Sequence, residues 1–233
     1  MEHIYRIASL FVKMDTYGYG ETFAIPYRVD DSNLPEVVIT SKRESVKLLH
    51  PDFSEELCEY LGAGVSFHHQ LLDFDGMMLH SSAIVRDNRA YLFSADSGTG
   101  KSTHTNLWRR VFGDNEVRLL NDDKPALRCE EGAWYAYGTP WSGKTGQNLN
   151  LKVPLAGICF LTRGNENKIK RLDPVQALYE VLNQTSRPKD PVLKAKVLDV
   201  ASKLIADIPV WKMECTLEPE AAVVSYEAMS GKK

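Results

Sequence analysis

The glycine-rich stretch from Ser94 to Thr103 contains the residues whose types and spacing are best suited to chemistry. A loop of this kind between a strand and a helix turns backbone N–H groups toward bound phosphates. Lys101 would reach the β- and γ-phosphates, and the Ser102 hydroxyl would hold Mg²⁺. Gly98 and Gly100 allow backbone angles that a Cβ atom would forbid. The residues expected to contact the nucleotide are Asp96, Ser97, Gly98, Thr99, Gly100, Lys101, Ser102 and Thr103.

One position departs from the strict phosphate-loop pattern, because Ala95 stands where that pattern has its first glycine. The Gly-Lys-Ser core of the pattern is intact. The alternative interpretation is a glycine-rich turn that merely precedes a helix. Since the apolar run Ala90–Phe93 comes before the loop and a helical pattern begins near Ser102, we favour the phosphate loop. The sequence therefore predicts a nucleoside polyphosphate as ligand.

Two adjacent carboxylates, Asp122 and Asp123, follow the apolar run Val117–Leu120. A carboxylate at the end of a strand beside a phosphate loop can support Mg²⁺ or accept a proton. Neighbouring residues of an unbroken strand point to opposite sides, so the two should have different roles. We expect Asp122 to hold the metal with Ser102 and Asp123 to act as the base, although the roles could be exchanged. The alternative is a simple turn, since Asn-Asp-Asp-Lys-Pro is rich in turn-forming residues.

Histidines provide the remaining candidates for acid–base chemistry. His80 interrupts the apolar run Met77–Val85, where a histidine is more often structural than catalytic. His104 lies in the first turn after the loop, where it could approach phosphates or serve as a surface or capping residue. His68 and His69 receive no role, because adjacent residues do not share a helical face.

A shaped segment, Gly138–Lys144, could offer N–H groups and a positive charge to a phosphate, or could be a plain connection. Arg163 and Arg187 are candidate phosphate or substrate contacts by residue type alone.

Composition excludes several classes of partner. Lys and Arg total 28 against 31 acidic residues, a net charge of −3, which argues against nucleic acid. No apolar run is long enough to cross a membrane, and the first residues lack a signal-peptide pattern. The four cysteines are widely spaced, as is typical of reduced thiols. We expect a cytoplasmic protein without a membrane or nucleic-acid partner; it could form a homo-oligomer.

The elements that must position these residues indicate one α/β domain over residues 1–233. A β-rich section with one helix occupies residues 1–75, and a nucleotide-binding core with a mixed sheet occupies residues 76–233. Predicted strands are Ile4–Leu10, Phe23–Val29, Val37–Thr40, Met77–Val85, Arg89–Ser94, Val117–Leu120, Pro125–Cys129, Ala133–Tyr137, Leu155–Leu161 with Lys168–Leu172 as its partner, and Val210–Cys215. Predicted helices are Ser54–Phe74, Ser102–Phe112, Pro174–Asn183, Pro191–Ala206 and Pro219–Met229.

The order of these pieces resembles the HPr kinase/phosphorylase and phosphoenolpyruvate carboxykinase group. The shared pieces are a histidine-bearing strand, a short hairpin, an S-G-x-G-K-[ST] loop with its helix, and a strand that ends in Asp-Asp. Within this group, the chain looks like the short, stand-alone HPr-kinase-like proteins, some of which modify serine in peptide precursors. This resemblance implies the phosphoenolpyruvate-carboxykinase-like P-loop fold and an active-site role for His80, Asp122 and Asp123. The glycine-rich stretch with an acidic metal ligand that HPr kinases carry after the Asp pair is not recognisable here.

The patterns together predict an ATP- and Mg²⁺-dependent kinase that transfers the γ-phosphoryl group to a hydroxyl. The expected acceptor is serine in a peptide or protein, or a small molecule. The alternative is a non-catalytic nucleotide-binding subunit that acts in peptide maturation or regulation.

Overall fold

The computed structural model describes residues 2–16 and 18–232, which form a mixed α/β structure with a small N-terminal sheet and a larger, curled mixed sheet. In the small sheet, β1 (Glu2–Ile7) pairs antiparallel with β2 (Leu10–Asp15), and β2 pairs parallel with β3 (Val37–Val38). Helix α1 (Tyr19–Ala24) and a 3₁₀ turn follow β2. Within the described residues, no helix is long and apolar enough to cross a membrane.

The larger sheet is built around one long strand. Three neighbours pair with this strand along its length, one antiparallel and two parallel, and this arrangement curls the sheet. The strands of this sheet are β4 (Gly76–Met78), β5 (Ser81–Arg86), β6 (Arg89–Ser94), β7 (Arg118–Asn121), β8 (Ala126–Glu130), β9 (Ala133–Tyr137), the long β10 (Lys152–Arg163), β11 (Lys168–Arg171) and β12 (Val210–Cys215). Their order is β4-β8-β9-β10-β6-β5-β7, with β12 also paired to β10 and β11 paired to β12.

Helices cover both faces of this sheet, because alternate residues of its strands are buried on opposite sides. In β6, Leu92 packs into one core, and Tyr91 and Phe93 pack into another. The first core contains residues of α5 (Pro174–Asn183) and α6 (Pro191–Asp207). The second contains residues of α4 (Lys101–Phe112) and α7 (Glu220–Ser230). Strands buried on both faces are expected to be continuously apolar, which is the pattern that made them visible in the sequence.

A third core joins the small sheet to α3 (Glu55–Leu71), where Phe67 stacks on Trp141 at 5.0 Å between ring centroids. The side chain of Ser54 caps α3 by accepting a hydrogen bond from the Leu57 N–H at 3.2 Å, as predicted for the start of this helix. A short helix, α2 (Arg43–Leu49), packs on α3 and was not predicted.

Several predicted strands are wrong or differently paired. Residues of the predicted strand Phe23–Val29 belong instead to α1 and a 3₁₀ turn, where Pro26 occupies a first-turn position that suits its fixed φ. The run Ile4–Leu10 is interrupted by a turn at Ala8–Ser9. Residues 168–171 pair with β12 and not with β10. The run Met77–Val85 is divided, since β4 pairs with β8 and β5 pairs with β6.

Candidate functional site

The predicted phosphate loop lies between β6 and α4. Gly98 and Gly100 have φ values of +78° and +122°, which residues with a Cβ atom rarely adopt. The Thr99 N–H closes a turn on the Asp96 carbonyl at 3.1 Å, and the first bond of α4 runs from His104 N–H to the Gly100 carbonyl. The N–H groups of residues 101–103 therefore have no partner within the helix and lie at its positive end. This geometry can bind an anion.

Lys101 is held inside the loop. It is 9% exposed, and its ammonium donates a hydrogen bond to the Ala95 carbonyl at 3.0 Å. Burial lowers the pKa of Lys101, and the carboxylates of Asp123, Asp122 and Asp96 oppose that shift. Ala95, which stands in place of the pattern's first glycine, is 4% exposed and packs in the core that contains residues of α4 and α7.

Asp122 follows directly after β7 and faces the phosphate loop. Its Oδ2 atom accepts a hydrogen bond from the Ser102 hydroxyl at 3.2 Å, and its Oδ1 atom accepts one from the Ser82 hydroxyl at 2.7 Å. Asp122 is 9% exposed, and β5 provides the serine that fixes its orientation. The structure thus brings together the two residues expected to hold the metal.

Asp123 faces His80. The distance from Asp123 Oδ1 to His80 Nε2 is 3.4 Å, and both side chains are about a quarter exposed, at 27% and 25%. Contrary to the prediction, His80 does not lie within a strand but in the break between β4 and β5. There the backbone N–H of His80 donates to the backbone carbonyl of Gln184 at 2.8 Å. The break turns the His80 ring toward Asp123, away from the apolar contacts of the neighbouring strands.

Gln184, at the C-cap of α5, connects His80 to the phosphate loop. Its Nε2 atom donates to Asp96 Oδ1 at 3.0 Å, and its Oε1 atom lies 3.0 Å from His80 Nδ1. A carboxylate only accepts hydrogen bonds, so the Gln184 amide faces Asp96 with its NH₂ group and His80 with its oxygen. His80 Nδ1 therefore carries a hydrogen, and the lone pair of neutral His80 is on Nε2, opposite Asp123. Sequence reasoning missed Gln184, because no local pattern connects residue 184 to residue 80.

Two lysines lie near this pair of side chains. Burial, followed by the positive charges of Lys124 and Lys101, lowers the pKa of His80, while Asp123 opposes the shift. Burial likewise lowers the pKa of Lys124, with Lys101 adding to the effect and Asp123 opposing it. Lys124 was not among the predicted site residues, although it directly follows the Asp pair.

The segment Gly138–Lys144 is a wall of the site and not a cradle for phosphate. Four of its N–H groups have partners within the protein. Trp141 donates to Thr139 Oγ1 and Gly143 to the Tyr60 hydroxyl, both at 3.2 Å, while Gly138 and Ser142 donate to backbone carbonyls. Lys144 is exposed. Of the two alternatives for this segment, the structural connection is the better description.

His104 does not approach the phosphate loop. It is 2% exposed, its Nε2 atom lies 3.0 Å from the Ser225 hydroxyl, and its ring centroid lies 4.5 Å from that of Phe93. Burial lowers its pKa to about 4. The suggestion of a phosphate contact for His104 is therefore wrong, because its position on α4 faces the core beneath the sheet.

An arginine and side chains of the phosphate loop form the outer edge of the site. Arg163, at the end of β10, donates to the carbonyls of Thr99 at 3.1 Å and Gly98 at 2.6 Å. An open depression of about 420 Å³ lies between these loop residues and the end of β10. Ser97 and Thr103 are exposed, as is Arg187 on the segment after α5.

Comparisons with known proteins give a distant structural similarity. No family model and no curated protein matches the chain. Among solved structures, the chain is similar to that of the Hpr(Ser) kinase/phosphatase from Coxiella burnetii, with 14% sequence identity and a TM-score of 0.38. The match covers 67% of this chain and 96% of that one. Functional assignment therefore depends on the residues and distances described above.

Proposed function

We propose that this protein is an ATP- and Mg²⁺-dependent kinase that transfers the γ-phosphoryl group to a hydroxyl. The observation that carries the proposal is the different surroundings of two adjacent carboxylates. Asp122 bonds to the phosphate-loop residue Ser102 at 3.2 Å, whereas Asp123 lies 3.4 Å from His80. One carboxylate at the phosphates can support the metal, and a second one beside them can accept the proton of an attacking hydroxyl.

The triphosphate would lie on the loop and the start of α4. The N–H groups of residues 101–103 and the Lys101 ammonium supply donors and positive charge. On binding, the Lys101 ammonium would give up its hydrogen bond to the Ala95 carbonyl and donate to phosphate oxygens instead. Arg163 holds the outer carbonyls of the loop, so we assign it a positioning role. On these features we propose that residues 76–233 form a P-loop domain of the phosphoenolpyruvate-carboxykinase-like type.

Ser102 and Asp122 fit a Mg²⁺ ion bound with the nucleotide. Both present hard oxygen ligands, and Mg²⁺ commonly takes one or two protein ligands together with phosphate oxygens and water. The described residues contain no cluster of three or more His, Cys, Asp or Glu that could hold a metal by itself. Such an ion would neutralise charge on the transferring phosphoryl group.

Asp123 would accept the proton of the attacking hydroxyl. As the acceptor oxygen bonds to the γ-phosphorus, the bond from that phosphorus to the β,γ-bridging oxygen breaks, and ADP and a phosphate monoester are released. The proton accepted by Asp123 would then lie next to the lone pair of His80 Nε2. The contact between His80 Nδ1 and Gln184 orients the ring so that this lone pair faces Asp123. His80 thus positions Asp123 and shares its proton. Lys124 lies close enough to Lys101 and Asp123 for their charges to affect the pKa of Lys124. Its ammonium would add positive charge on the acceptor side.

The proposal is tested by incubating the protein with γ-labelled ATP, Mg²⁺ and a panel of hydroxyl compounds that includes serine and serine-containing peptides. A labelled phosphate monoester is the expected product. ATP binding without transfer to any acceptor would favour the alternative of a non-catalytic nucleotide-binding subunit.

A further inference from the structure

A cavity of about 340 Å³ lies beside Asp123, and its lining contains no residue of the phosphate loop. Apolar side chains form much of this lining, including Val46 and Leu49 of α2 and Leu61 and Val65 of α3. Among the described residues that line it, Asp123 is the one carboxylate and Lys124 is the one lysine or arginine. A mostly apolar cavity of this size with a few polar groups is typical of a small-molecule site.

The backbone of Lys124 is fixed by hydrogen bonds, whereas its side chain is not. The Lys124 N–H donates to Asn121 Oδ1 at 2.8 Å and to the Trp141 carbonyl at 3.1 Å, and the Lys124 carbonyl accepts from the Thr139 hydroxyl at 2.7 Å. Within the part of the chain that the structure describes, the Lys124 ammonium makes no hydrogen bond or ion pair. Its nitrogen is not one of the unpartnered atoms that are sealed from solvent, so a ligand can reach it.

The Lys124 ammonium lies between the cavity and the proposed catalytic pair. Its positive charge lowers the pKa of His68, which lines the cavity, and the pKa of His80, which faces Asp123. Burial lowers the pKa of Lys124 itself by more than Asp123 raises it, so this carboxylate does not compensate the buried ammonium. A largely buried cation without an ion-pair partner is costly, and a ligand anion placed beside it would therefore be favoured.

From the cavity, the accessible unpaired ammonium and the position of Asp123 together, we propose that the phosphoryl acceptor is a small hydroxy acid with an apolar body. Its hydroxyl would lie at Asp123, its carboxylate at the Lys124 ammonium, and its apolar part among the side chains of α2 and α3. A carboxylate matches the single positive charge of Lys124, whereas the second charge of a phosphate group would have no partner in the cavity.

This inference rests on the proposed function for the transfer step, but not for the binding of the acid. In that step the hydroxyl oxygen bonds to the γ-phosphorus, the bond to the β,γ-bridging oxygen breaks, and the hydroxyl proton passes to Asp123. The products are ADP and the O-phosphorylated acid.

The site is tested by NMR titration of the full chain without nucleotide, using 3-hydroxyoctanoate and its uncharged methyl ester. Lys124→Met removes the charge and keeps the apolar stem, and the backbone hydrogen bonds of residue 124 do not depend on the ammonium. We expect this variant to bind the acid on the order of thirtyfold more weakly, the usual effect of one hydrogen bond to a charged group, and to bind the ester with unchanged affinity. Equal binding of the acid by wild type and Lys124→Met overturns the assignment.

Two matched controls and a second variant complete the test. Lys144→Met removes an exposed charge outside the lining and should bind both probes like the wild type. Val65→Phe fills the apolar part of the cavity and should abolish binding of both probes. Val175→Phe adds the same bulk at a site on α5 that is 79% exposed, and should leave binding unchanged. Binding of the acid by Val65→Phe as by wild type would mean that the acid lies elsewhere, and overturns the proposal.

Phosphoryl transfer separates this inference from the proposed function. If ATP is never a donor but the acid still distinguishes Lys124→Met from the wild type, the kinase proposal fails and the cavity stands as a binding site for hydroxy acids. If the wild type transfers phosphate from ATP to serine-containing peptides but not to bound 3-hydroxyoctanoate, the kinase proposal stands and the hydroxy-acid acceptor is wrong.

Discussion

His80 Nε2 lies 3.4 Å from Asp123 Oδ1, and the contact between His80 Nδ1 and Gln184 leaves the lone pair of neutral His80 on the side of Asp123. Two acceptor atoms that face each other at this distance can share one incoming proton. In the proposed reaction, that proton comes from the acceptor hydroxyl.

His80→Gln should change the pH dependence of phosphoryl transfer. Burial and two nearby lysines lower the pKa of His80 from its ordinary 6.5, so the wild-type rate should be flat near neutral pH. The rate should fall as the pH drops through a value below 6.5, where His80 takes up a proton before the hydroxyl can give one. In His80→Gln this acid limb should move or disappear, with ATP affinity retained. An identical pH–rate profile would exclude His80 from the proton transfer.

Lys101→Ala should lower ATP affinity on the order of a hundredfold, because the triphosphate loses a buried positive charge. Lys144→Ala removes an exposed charge from the neighbouring wall and should bind ATP normally. Isothermal calorimetry measures both variants. If the two lose affinity equally, Lys101 has no special contact with the nucleotide.

Gly143→Ala should reduce transfer more than it reduces stability. Gly143 has φ +70°, and a Cβ atom there would lie 3.0 Å from the Cβ of Asp123, so the base would be displaced. Gly132, in the turn between β8 and β9, has φ +79° with no atom within 4 Å of its would-be Cβ. Gly132→Ala therefore carries similar backbone strain, about 1 kcal/mol, without touching the site. Comparable transfer rates in the two variants would mean that the position of Asp123 is not critical.

His104→Gln should weaken the dependence of stability on pH. Burial lowers the pKa of His104 to about 4, so between about pH 6.5 and 4 the unfolded chain binds a proton that the folded chain does not. The free energy of unfolding should therefore decrease as the pH falls across this range, by about 1.4 kcal/mol per pH unit for each such histidine. Gln can keep a hydrogen bond to Ser225 and cannot be protonated. Urea denaturation at several pH values should show a shallower slope for the variant; an unchanged slope would contradict the buried, neutral state of His104.

The parts of this molecule that could be predicted from its sequence are those with local signals. Gly98, Gly100 and Lys101 identify the loop, and Asp87–Asn88, both with positive φ, marks the hairpin between β5 and β6. The division of Asp122 and Asp123 between two environments was anticipated from their adjacency, but its physical origin is different. Both lie beyond the end of β7, where Ser82 holds one carboxylate and His80 lies beside the other.

Long-range contacts could not be predicted in this way. Gln184 takes its role from tertiary neighbours, and a single sequence contains no pattern that connects it to the site. His104 was misplaced for the same reason, since proximity to the loop along the chain did not reveal which face of α4 is buried. The pairing of β11 with β12 depends on the path of the chain through α5 and α6, which local propensity does not specify.

The measurement that tests the central claim most directly is phosphoryl transfer from γ-labelled ATP by Asp123→Asn, with ATP and Mg²⁺ binding measured on the same preparation and Asp122→Asn as the matched control. Asp123→Asn keeps the size of the side chain but removes the proton acceptor. We predict that it binds ATP and Mg²⁺ like the wild type while transfer falls about 10² to 10⁴-fold. Asp122→Asn should instead weaken the Mg²⁺-dependent part of ATP binding. Transfer at the wild-type rate by Asp123→Asn would contradict the proposed mechanism.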